Sequence, residues 1–232
     1  MRDVALYKLM INVRFLIMVN FLFLISIAIP VVWLMLFGRS MVDIVMIGLL
    51  FPGLAALVSC ILKFRESKNS IDFKILHHFL TGFRDNLTDT LKYCFVIGIV
   101  TFAVWLNLAI HEEGVPFWLG ISLIVLSVVT ALVATYMLVV AAKFQFRTRD
   151  LLRVAGYCVL MNIGKSLKLL VLYVVVFFGW PWVGLFTLLM LASTMVYIVV
   201  QIVEPVLADV QAVFVEPVVE VEDEKNESVK FY

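Results

Sequence analysis

From Phe15 to Phe37 the chain runs for 23 residues without a charged side chain. A helix rises about 1.5 Å per residue, so roughly 20 apolar residues cross a hydrocarbon core about 30 Å thick. No soluble fold accommodates several such runs, and this chain has several. The second is 44–62, the third 93–110 and the fourth 117–142, followed by 167–183 and 185–203. Composition agrees: 64% of residues are apolar and 15% charged, against about 45–50% and 25% in a soluble domain. These numbers exclude a soluble enzyme, a disordered regulator and a nucleic-acid binder. The first run is too long for a cleavable signal peptide, and no small-residue cleavage site follows it.

The charges fix an orientation. With six spans and an inner N-terminus, 17 of the 18 Lys and Arg residues fall inside and only Arg39 outside. The positive-inside rule therefore predicts a multi-pass cell-membrane protein with both termini cytoplasmic. The outer connections are short: Gly38–Asp43, His111–Pro116 and a turn at Gly179-Trp180-Pro181-Trp182. Trp33, Trp105, Trp118, Trp180 and Trp182 sit near the outer ends of spans, as an aromatic belt does. The expected fold class is all-α, a polytopic bundle of six transmembrane helices with two cytoplasmic interfacial helices.

The first interfacial helix is read over Asp72–Leu91. Phe73, Leu76, Phe79, Leu80, Phe83, Leu87 and Leu91 gather on one face at 100° per residue. Leu76, Phe79, Phe83 and Leu87 are expected to be buried, against the membrane interface or the bundle's own cytoplasmic face. The second segment, 144–166, carries a stripe of Leu151, Val154, Ala155, Cys158 and Val159. Asn86-Leu87-Thr88-Asp89-Thr90-Leu91-Lys92 and Asn162-Ile163-Gly164-Lys165-Ser166-Leu167-Lys168 both read N-x-x-x-[ST]-L-K before a span. The pattern points to a duplicated helix–span unit. The segment 211–232 reads as an acidic, disordered cytoplasmic tail.

No catalytic, cofactor or metal set is expected. No span places Asp, Glu, Lys, Arg or His near its middle, where proton relays and ion-coupled carriers keep such groups. His77 and His78 are adjacent and lack the three- or four-residue spacing of ligands on one helix face. Cys60, Cys94 and Cys158 lack the spacing of a zinc site or a disulfide framework and read as packing residues. Asn20 is the strongest intramembrane polar feature. It reads as an interhelical hydrogen bond, with a pore or ligand role as the alternative. Pro30 and Pro52-Gly53 are expected to kink or break their spans. Phe79, Phe83, Asn86 and Asn162 complete the structural and interaction candidates.

Several segments carry a resemblance. Asn20-Phe21-Leu22-Phe23-Leu24 running to Ile29-Pro30-Val31-Val32 resembles the first span of the YesL-like family. Phe51-Pro52-Gly53-Leu54-Ala55-Ala56-Leu57, the F-x-x-x-F-x-x-N pattern of Phe79, Phe83 and Asn86, Tyr136, Phe144 and Glu204-Pro205-Val206 resemble it as well. The likeness covers roughly residues 5–210, with Trp33 where the family usually has Thr. Members are small polytopic bacterial proteins of unknown function, encoded beside carbohydrate ABC transporters. The resemblance implies a non-enzymatic accessory to carbohydrate uptake, with ABC permease subunits as partners beside the lipid bilayer. The alternative is a passive channel or carrier for a small solute.

Overall fold

In hydrocarbon, a backbone N–H or C=O without an internal partner costs several kcal/mol, so apolar runs fold as helices. The computed structural model describes residues 2–37, 42–67, 74–110, 116–144 and 146–215. Among these residues the chain forms seven α-helices and no strand. They are α1 (Arg2–Phe37), α2 (Val42–Glu66), α3 (Ile75–Ile110), α4 (Phe117–Lys143), α5 (Thr148–Met161), α6 (Ile163–Met190) and α7 (Ala192–Val210). A π-helical turn, Gln211–Val215, follows α7.

Among the described residues four stretches are long and apolar enough to cross a bilayer: Met10–Trp33, Ile75–Val104, Phe117–Lys143 and Ala192–Phe214. A fifth appears if α5 and the first part of α6, bent by 93°, count as one broken span. The expected second span lies within α2. Outward faces are apolar too: Met10, Ile17, Phe21, Ile25, Ile29 and Leu36 on α1 are all exposed. A soluble monomer does not show so large a patch. Long apolar helices with such faces fit a multi-pass membrane protein.

The core is built around α2. Its eight consecutive residues Ala55–Leu62 are all buried, the signature of a helix enclosed on every side. Phe64 stacks on Phe15 of α1 with ring centroids 3.7 Å apart. Gly53 lets α1 approach closely, since a Cβ there would sit 2.8 Å from Ser26 Oγ. On another side Gly82 of α3 lies against Ser59, where a Cβ would come within 3.2 Å.

Four sequence expectations change. The separate interfacial helix 72–91 and the span 93–110 are replaced by one continuous helix, α3, of 36 residues. Thr90, Tyr93 and Cys94 are buried and pack the intended junction onto the bundle. No Gly or Pro interrupts 83–97, so nothing breaks the ladder there. Phe79 is buried as expected, and Phe83 and Leu87 are half-buried, but Leu76 is 57% exposed. The turn expected at 179–182 is helical, and the chain leaves the helix only at Leu191. Proline removes one donor, whereas a turn in apolar surroundings strands several. For the same reason Pro30 and Pro52, both buried, sit inside unbroken helices.

The second interfacial segment keeps its separate identity. α5 buries Leu151, Val154, Ala155 and Cys158, with Val159 half-buried, which is the predicted stripe. It meets α6 at the 93° bend. Residues 216–232, the first two residues of the expected helix 72–91 and most of two outer connections, at 38–41 and 111–115, lie outside the described residues. So do the side chains of Trp105, Trp180 and Trp182.

Candidate functional site

The first four N–H groups of any helix lack intrahelical acceptors. At the start of α7, Leu191 occupies the cap position and its side chain makes no cap hydrogen bond. α1 supplies the acceptor instead. The Ser193 N–H donates to Asn20 Oδ1 at 3.1 Å, and Ser193 Oγ donates to the Leu16 carbonyl at 3.0 Å. Both side chains are buried, Asn20 at 6% exposure and Ser193 at 2%. Asn20 therefore caps α7 from a different helix and ties the two ends of the bundle's chain together.

A second polar group joins α4 to the α5–α6 bend. Tyr136, fully buried, holds its hydroxyl 3.2 Å from Ser166 Oγ. Ser166 Oγ donates to the Val159 carbonyl at 3.1 Å. That carbonyl belongs to the last turn of α5, where helical carbonyls run out of partners. Two turns further along α6, the Tyr173 hydroxyl hydrogen-bonds to that of Thr135, the neighbour of Tyr136. Sequence reasoning singled out Ser166 and Tyr136 separately and missed that they meet, and it missed the Thr135–Tyr173 pair. The available signal was two hydroxyl-bearing residues, Thr135 and Tyr136, side by side in an apolar run.

One end of the bundle is charged. Arg65 pairs with Glu204 at 2.6 Å and lies 5.5 Å from the centre of the Tyr197 ring. Lys143 pairs with Glu66 at 3.5 Å and Lys165 with Asp209 at 3.6 Å. These pairs join α2 to α7, α4 to α2, and α6 to α7. The last of them sets the first turn of α6 beside the last turn of α7, so these two helices run out and back. Each pair is partly exposed, which limits it to about 0–1 kcal/mol. Their contribution is to fix which helix ends lie together.

The remaining candidates take separate structural places. Phe79 is a core residue on α3, and Phe83 packs beside the core. Asn86 Nδ2 donates to the Gly82 carbonyl at 2.8 Å. Asn162 stands at the bend, with φ −109° and ψ 49°. Pro52 adjoins the close approach at Gly53. His77 and His78 meet edge-on with centroids 5.6 Å apart. Among the described residues no group of three or more His, Cys, Asp or Glu side chains is placed to hold a metal ion. No family model, no curated protein and no solved structure matches the chain.

Proposed function

We propose that this chain is a membrane scaffold of six spans, α1, α2, α3, α4, α6 and α7, with α5 at the cytoplasmic face and both termini inside. On this reading the ion-paired end that carries Arg65, Lys143 and Lys165 faces the cytoplasm, in line with the charge split. At about 54 Å, a 36-residue α3 is longer than the hydrocarbon core. Its charged first half, including the exposed Lys92–Asp89 pair, then stands toward the cytoplasmic side.

We further propose a non-enzymatic accessory role in carbohydrate ABC-type transport, as the resemblance to the YesL-like family implies. One observation supports it above the alternative of a channel or carrier. Several polar side chains of the interior hold helices to one another: Asn20 with Ser193, Tyr136 with Ser166 and Val159, Thr135 with Tyr173. Groups engaged in this way build a fixed frame. A solute pathway needs polar groups that exchange partners with the solute.

Purification of the full chain from its own membrane in mild detergent is expected to bring permease subunits with it. Reconstituted alone in liposomes, the protein is expected to leave sugar entry at the level of empty liposomes. Sugar entry driven by the purified chain would overturn the accessory reading in favour of the carrier.

A further inference from the structure

The cations of the charged end are not all matched. Arg65, Lys143 and Lys165 each pair with a carboxylate from another helix. The start of α5 differs. Arg147, Arg149 and Arg153 are all exposed. Arg153 meets only Asp150 of its own helix, at 3.9 Å. Among the described residues neither Arg147 nor Arg149 has a carboxylate partner. The stretch 147–153 therefore holds three cations against one anion.

The described chain comes to its end on this same helix. Val210 is fully buried, and Phe214 of the π-helical turn meets the Tyr157 ring of α5 edge-on, with centroids 5.3 Å apart. Tyr157 and Arg153 are four residues apart and share a helix face. Arg149 stands one turn further along the same row. The segment that leaves from this point, 216–232, carries six Asp and Glu against two Lys. Five of the six acids fall within 216–224. Extended at about 3.3 Å per residue, those nine residues reach about 30 Å. Arg147 lies only about 15 Å along the helix axis from Tyr157. In an extended chain Glu220, Glu222 and Glu224 share one side at intervals of about 7 Å. Arg149 and Arg153 are spaced by about 6 Å along α5.

We propose that the segment 216–232 docks on α5, its carboxylates lying against Arg147, Arg149 and Arg153. Sign of charge, spacing and point of departure agree on this occupant. Tethering beside α5 gives the segment an effective concentration on the order of 1 mM, so charge pairs that are weak one by one suffice. When docked, it covers cations that otherwise face anionic lipid headgroups. The contact stands whether the chain is an accessory or a carrier.

A spin label at Val221→Cys, on the full chain in nanodiscs of neutral lipid, tests this. The three native cysteines are buried, so the label attaches to the introduced one. At low salt most of the spectrum is expected to be immobilised. At 1 M salt, where screening shortens to about 3 Å, the immobilised fraction is expected to fall by about threefold or more. Arg147→Gln, Arg149→Gln and Arg153→Gln together are expected to release the label at low salt as well. Lysine at the same three positions keeps the charge and is expected to keep the label held. All three side chains are exposed, so neither triple variant disturbs the core. A label that is equally mobile at both salt concentrations overturns the proposal. So does immobilisation that survives the three glutamines, which would seat the segment elsewhere. A mobile label in neutral nanodiscs that bind phosphatidylglycerol vesicles only with the arginines intact would assign the face to lipid and overturn it too.

Discussion

Phe79→Ala lowers the stability of the bundle by about 3–5 kcal/mol, whereas Leu80→Ala next to it costs well under 1 kcal/mol. The two residues are neighbours in a helix with similar apolar side chains. Their environments are opposite: Phe79 is 2% exposed and Leu80 56% exposed. Truncating Phe79 removes a buried ring and leaves a cavity beside α2 that the surrounding helices fill only in part. Truncating Leu80 exchanges one outward apolar surface for a smaller one. Cys60, Cys94 and Cys158 are free and buried, so a thiol-reactive dye reports unfolding directly on heating in detergent. Equal shifts for the two variants would show that α3 does not present this face to the bundle.

The second large effect is at Asn20. Asn20→Ala is expected to cost about 1–3 kcal/mol, because it leaves the buried Ser193 N–H without an acceptor. Ser193→Ala is expected to cost less, about 0.5–1.5 kcal/mol. Its hydroxyl donates to Leu16 O, an acceptor that already lies within the α1 ladder, so its loss orphans nothing. The same dye measurement orders the two variants. The reverse order would remove the capping role of Asn20.

Much of this fold is legible in the residues. The uncharged run 15–37 and the run 117–142 fall inside α1 and α4 because hydrocarbon leaves a long apolar segment no other regular choice. The α5 stripe is legible because protein lies on one of its faces, so the 3.6-residue period marks the contact. That logic fails at 72–91. A helix with lipid on one side and protein on the other is apolar on both, and Leu76 and Phe79 look alike in a helical projection. The turn read at Gly179-Trp180-Pro181-Trp182 follows a rule learned in water, where a turn's freed backbone groups are hydrated. The candidate polar contacts were only half visible. Asn20 stands out in its run, but its partner Ser193 lies 173 residues away. No local pattern carries that distance. Tyr136 and Ser166 meet only because α5 turns through a right angle before α6.

Six crossings with both ends inside is the claim on which the other readings depend, and substituted-cysteine labelling tests it most directly. Three described sites suffice: Phe117, 84% exposed at the start of α4; Arg149, exposed on α5; and Val213, 47% exposed beyond α7. With a membrane-impermeant maleimide, Phe117→Cys is expected to react in intact cells. Arg149→Cys and Val213→Cys are expected to react only after permeabilisation. Labelling of Val213→Cys from outside would mean an odd number of crossings and would contradict the six-span bundle.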